Sequence, residues 1–223
     1  MEISSRFGCR CYGAEPHPAL YSRIRQSDRV SVLNCAIAPV DAAVGFNLSA
    51  FAEANSLRAL PRSGVSSIAV NGITFQNFMA ACGIDHIDLM KVDIEGSEIE
   101  LFDTISDDLL DHIDQMTVEF HDFLPEFELA AKVRATLDRL IGLGWLPIVF
   151  SRRDHSDVLL INRKKLFLSS FQLFYLRYLA RYVEGMLRIT ERTLGFGGRM
   201  RPTQSDSTHD SPISPAASRV DPD

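Results

Sequence analysis

One ten-residue stretch, Leu89-Met90-Lys91-Val92-Asp93-Ile94-Glu95-Gly96-Ser97-Glu98, does most to limit what this chain can fold into. An apolar run from Ile87 to Ile94 takes up charges only near its end, then meets Gly96 and a segment of helical composition. That is the pattern of a buried parallel strand which delivers polar side chains at its C-terminal edge. Ligands of open α/β sheets bind just outside that edge. Lys91, Asp93 and Glu95 therefore mark a candidate site.

Strands and helices should alternate on either side of this segment. Cys9 to Ala14 reads as a short strand stopped by Glu15-Pro16-His17-Pro18, with a helix over Ala19 to Arg25. Val30 to Ala38 is a second apolar strand closed by Pro39. Residues 41–72 are less regular, with β-prone pieces at Val44 to Leu48 and Ser67 to Val70 and a turn expected at Asn71-Gly72. A helix over Phe75 to Cys82 precedes the Ile87–Asp93 strand, and helices follow over 97–104 and 107–113. Gln115 to His121 is another strand, leaving Glu119 and His121 at its end. Glu126 to Leu143 is an amphipathic helix with Phe127, Ala130, Val133, Leu137, Leu140 and Ile141 on one side. Trp145 to Phe150 and Asp157 to Asn162 close the domain as a strand pair. The expected class is α/β, a mostly parallel sheet with a terminal antiparallel hairpin.

Beyond Arg163 the composition changes. Leu166 to Arg192 has helical period, with Ser170, Arg177, Arg181, Glu184 and Arg188 in one stripe and aromatic or aliphatic residues over most of the rest. Arginines at its centre make it a poor membrane span; its wide apolar face fits a helix that docks on this chain's own sheet, on a second copy or on a membrane surface. The Ser, Pro and Asp-rich stretch 200–223 has little to bury and is expected to be disordered. Three regions follow: a domain over 1–163, a basic helical extension over 164–199, and a tail over 200–223.

Charge divides the same way. Residues 1–151 hold 11 basic and 21 acidic side chains, whereas 152–201 hold 11 basic and 4 acidic. An acidic body argues against nucleic acid as a partner. Cys9 and Cys11 share one side of a strand, but no second pair completes a metal site, so free thiols are expected. The N-terminus lacks the apolar core of a signal peptide, and the chain reads as cytoplasmic.

Glu15 ends an apolar strand where nucleotide-binding α/β folds place an acid for the ribose hydroxyls. Together with it, Leu33-Asn34-Cys35-Ala36-Ile37, Lys91-Val92-Asp93-Ile94-Glu95-Gly96-Ser97-Glu98 and Val118-Glu119-Phe120-His121 resemble the FkbM family of methyltransferases, a Rossmann-like branch, from about residue 5 to residue 162. The resemblance implies S-adenosyl-L-methionine as cofactor and methyl transfer to oxygen on a sugar, polyketide or similar small hydroxylated metabolite. It also implies that Glu15 binds the ribose and that Asn34 and Ala36 line the adenine. Asp93 lies at the methyl and acceptor end, orienting the acceptor hydroxyl or taking its proton. His121, with an ordinary pKa of about 6.5, is a candidate general base. No metal is implied.

One part of the pattern is displaced. The glycine-rich cofactor loop ordinarily precedes the ribose acid by about 20 residues, which falls before Met1. Glu2 to Phe7 then reads as the last turns of the helix after that loop, and the first strand is missing. Gly195-Phe196-Gly197-Gly198 follows a helix and cannot replace the loop. The expected fold is thus Rossmann-like but truncated at its N-terminus. Such a chain should hold the cofactor poorly, and a non-catalytic binding module is the alternative to an enzyme.

Overall fold

Thr74 and Gly83 bound the best-defined helix, and they show how local chemistry sets the elements. The Thr74 hydroxyl accepts from the Asn77 N–H, and Gly83 takes a left-handed φ of 64°, so α3 runs Phe75–Cys82 as its caps dictate. The computed structural model describes residues 2–48, 57, 66–123, 128–151 and 154–179. In chain order the elements are α1 Glu2–Phe7, β1 Cys11–Ala14, α2 Pro18–Tyr21, β2 Val30–Leu33, β3 Ala36–Ile37, β4 Ala43–Leu48 and β5 Ser66–Ile73. After α3 come β6 Met90–Val92, α4 Glu98–Thr104, α5 Asp107–Leu110, β7 Gln115–Val118, α6 Ala130–Gly142, β8 Trp145–Val149, β9 Val158–Asn162 and α7 Ser170–Phe174.

The strands form three sheets with orders β1-β2, β3-β5-β4 and β6-β7-β9-β8. Parallel pairing joins β1 to β2, β3 to β5 and β6 to β7, while β4 to β5, β7 to β9 and β8 to β9 are antiparallel. The α/β class and the terminal hairpin are present, with β9 inserted between β7 and β8. The expectation of a mostly parallel sheet is corrected, and two local causes account for the difference. The Asn34 amide donates to the carbonyls of Glu15 and Pro16 at 2.8 and 3.3 Å, tying the end of β2 to the end of β1. The single strand expected over Val30 to Ala38 therefore breaks, and Ala36–Ile37 pairs with β5 instead. The turn expected at Asn71-Gly72 is continuous strand. Gly72 sits there because a Cβ would lie 2.7 Å from the Ala42 carbonyl oxygen, a distance only glycine tolerates.

The main core lies around the four-stranded sheet. Met116, Val118 and Leu160 from its strands meet Phe102 of α4 and Val133 and Leu140 of α6, all essentially without solvent contact. Ile141, expected on the apolar side of α6, is half exposed. Phe120 stacks near Phe102 with ring centroids 5.9 Å apart, which fixes the chain just beyond β7. That anchoring matters because the next residue is His121.

The C-terminal extension begins with a capping box at Ser169, whose hydroxyl accepts from the Gln172 N–H while the Gln172 side chain accepts from the Ser169 N–H. One α-helical turn is followed by a π-helical turn over Tyr175–Leu179. Phe167, Phe171, Phe174 and Tyr178 are exposed. The rest of the helix expected to Arg192, the glycine cluster at 195–198 and the 200–223 tail lie outside the described residues. Among the described residues no helix is long and apolar enough to cross a membrane.

Candidate active site

The turn from β6 into α4 bends sharply at Glu95 and Gly96, with φ of 54° and 97°. A left-handed glutamate costs of order 1–3 kcal/mol and persists only where its surroundings hold it. The holding group is Glu98, fully buried, whose Oε1 accepts the Gly96 N–H at 3.0 Å and the Ile94 N–H at 3.3 Å. The same oxygen faces His121 Nδ1 at 3.0 Å, while His121 Nε2 faces Glu95 Oε2 at 3.1 Å. Both ring nitrogens of a buried histidine thus point at carboxylates. Burial alone lowers the His121 pKa, but the hydrogen bonds and charges of Glu95 and Glu98 outweigh it and push the value up to about 10.

Pairing of β6 with β7 sets the remainder of the rim. Val92 is opposite Val118, so Asp93 and Glu119 leave the sheet side by side, and the Glu119 N–H donates to the Val92 carbonyl at 2.9 Å. Lys91 Nζ donates to Asp93 Oδ2 at 2.7 Å. That hydrogen bond raises the lysine pKa against the opposing effect of burial. Desolvation, and then the Asp93 charge, raise the pKa of Glu119. Asp93 and Glu95 each have side chains about three-tenths exposed, and Lys91 about two-thirds.

A second pair stands behind the rim. Asp122 is nearly buried and receives the His155 backbone N–H at 2.9 Å and the His155 ring Nδ1 at 2.6 Å. The His155 carbonyl accepts the Phe120 N–H, tying the β8–β9 loop to the end of β7. Sequence reading missed this pair, because the partners lie 33 positions apart with no shared motif.

Asp93 and Glu95 also line a cleft of about 470 Å³. Ala14, Glu15, Cys35, Ala36, Phe46, Asp93 and Glu95 are among its walls. Of the expected cofactor residues, Glu15, Ala36 and Asp93 meet there, though they come from three different sheets' ends. Asn34 and His121 are not in its lining. Asn34 is instead the clamp between β1 and β2, and Glu15 Oε1 accepts the His17 N–H at 2.8 Å.

The sequence that builds this rim also matches a known domain. Residues 2–142 match the Methyltransferase FkbM domain. The chain belongs to the FkbM methyltransferase family. No curated protein and no solved structure matches it. Membership places the Lys91–Glu98 segment and its rim within the matched span, while β8, β9 and His155 lie beyond it.

Proposed function

We propose that the chain is an S-adenosyl-L-methionine-dependent methyltransferase that acts on a hydroxyl of a sugar, polyketide or similar small metabolite. The observation that supports this best is the cleft lined by both Glu15 and Asp93. Its volume falls in the range of small-molecule sites. Glu15 fits the ribose hydroxyls, and Ala36, Ile37 and Leu20 offer an apolar bed for the adenine. Its lining among the described residues includes neither a glycine nor a cation for the methionine carboxylate. The fit is therefore to the adenosine half of the cofactor.

When bound, the cofactor supplies an electrophilic methyl group on sulfonium. Glu15 and the apolar lining would hold the adenosine half of the cofactor, and Asp93 would orient the acceptor oxygen toward its methyl. Asp93 is assigned to receive the acceptor hydroxyl's hydrogen bond and then its proton. Lys91 holds one Asp93 oxygen and so directs the other. His121 has both nitrogens on carboxylates, so its part is to hold Glu95 and the turn in place rather than to face the acceptor. Alignment of oxygen, methyl and sulfur contributes much of the rate in such a displacement. Methyl transfer from labelled cofactor to a panel of sugars and polyketide alcohols tests the reading. An oxygen-methylated product is expected; nitrogen or carbon methylation, or no transfer by protein that binds the cofactor, contradicts it.

Residues 166–192 are assigned to docking on this chain's own sheet, on a second copy or on an anionic membrane, because Phe167, Phe171, Phe174, Tyr175 and Tyr178 are solvent-exposed. Sedimentation with anionic vesicles that fades with salt identifies the membrane, and a dimer on a sizing column identifies the second copy. A monomer indifferent to lipid leaves this chain's own sheet as the surface the helix covers.

A further inference from the structure

The segment that follows the last strand reverses the sign of the chain's charge. Residues 163–181 include Arg163, Lys164, Lys165, Arg177 and Arg181, together with five aromatic residues and no acid. The body over 1–151 holds 11 basic and 21 acidic side chains. Phe167 is 91% exposed, Phe171 73%, Tyr178 52% and Phe174 51%. The rings of Phe174 and Tyr178 lie 5.3 Å apart, and Phe171 stands one helical turn before Phe174, so α7 and the turn after it carry an aromatic patch. Among the described residues the chain's own sheet does not cover this patch. The π-helical turn packs against β8, and Leu173 and Leu176 are half-buried, yet the four rings stay in solvent.

Charge separates the remaining occupants. An isologous contact sets the segment against itself, and with cations on both copies and no acid on either, the two repel. Seating it on the acidic body of another copy joins two different surfaces, which leaves both ends open to further copies. An anionic bilayer takes the rings and the cations together. Aromatic rings settle at the headgroup level, and lysine or arginine beside them meets the lipid's negative charge. The same surface repels the acidic body, which keeps the contact at this end. Arg163 and Lys165 are exposed, and Lys164 reaches Asp111 at 3.0 Å, which ties the start of the segment to the body.

We infer that residues 163–181 form a docking surface for an anionic phospholipid bilayer, with Phe167, Phe171, Phe174 and Tyr178 set at the headgroup level. The segment lies in the interface and does not cross it, in keeping with the absence of a spanning helix among the described residues. This narrows the docking partner of the C-terminal extension to one. It rests on that docking role and not on methyl transfer.

Trp145 is the chain's one tryptophan and is 3% exposed, so Phe171→Trp adds a reporter at the patch that is read against the parent. The full chain carrying it is titrated with vesicles of brominated phosphatidylcholine, with and without phosphatidylserine. Quenching well above the parent's is expected with the serine lipid, and added salt should reverse it. Arg163→Glu and Lys165→Glu together should weaken vesicle affinity at least tenfold. Phe167→Ser, at a position too exposed to support the fold, should weaken it severalfold with the thermal midpoint unchanged. No quenching in excess lipid, equal quenching without phosphatidylserine, or an unchanged affinity after charge reversal overturns the inference. So does a tryptophan emission that shifts to the blue with protein concentration in the absence of lipid, which identifies a second copy as the occupant. Methyl transfer and cofactor binding are measured on the same preparations, and their failure counts against the methyltransferase reading alone.

Discussion

Replacing His121 by phenylalanine should cost the fold about 3–5 kcal/mol, the usual penalty for removing one partner of a buried ion pair. The partner left behind is Glu98, which is fully buried and has one oxygen already without a hydrogen bond among the described residues. Phenylalanine fills most of the imidazole's volume, so the loss reports charge rather than a cavity. Adding Glu98→Gln should recover at least half of it. Glutamine keeps an acceptor for the Gly96 and Ile94 N–H groups, which the carboxylate holds at 3.0 and 3.3 Å, but carries no charge. Denaturant midpoints of the three proteins measure the cycle. A single variant within about 1 kcal/mol of the parent would show that Glu98 is relieved by something other than His121.

Asp93→Asn should lower turnover on the order of a hundredfold while leaving cofactor affinity within about twofold. The asymmetry follows from where the side chain sits. Its carboxylate lines the cleft together with Glu95, and one of its oxygens is already committed to Lys91. Asparagine retains the shape and an acceptor oxygen but cannot take up a proton. Steady-state kinetics in protein that turns over, with binding measured on the same sample, gives both quantities. An equal fall in both would reassign Asp93 to cofactor binding or to the fold.

The legible parts of this molecule are those whose cause is local. α3 follows from Thr74, Gly83 and the apolar period between them, and its expected bounds are the observed ones. The strand that ends at Asp93 was readable because its apolar run and charged edge are contiguous, although its ladder is only Met90–Val92. What the sequence did not disclose depends on distant partners. The break after Leu33 comes from Asn34 reaching back 19 residues to Glu15. The antiparallel β4–β5 pairing comes from a glycine in close approach to Ala42, which in sequence looks like a turn. At the site, Lys91, Asp93 and Glu95 could be anticipated from their place at a strand end. The double engagement of His121 could not, since Glu98 lies 23 positions away and reads as a helix residue. The Asp122–His155 pair was hidden for the same reason.

The central claim is that the Glu15 to Asp93 cleft is where the cofactor's adenosine binds. It is tested most directly by titrating isotopically labelled protein with S-adenosyl-L-methionine and following the backbone amide resonances. Shifts should concentrate at Ala14, Glu15, Cys35, Ala36 and Ile37. Glu15→Ala should weaken the response by about 1–3 kcal/mol, the range for losing a charge-assisted hydrogen bond. Shifts centred elsewhere, or a Glu15→Ala titration superimposable on the parent's, would contradict the account.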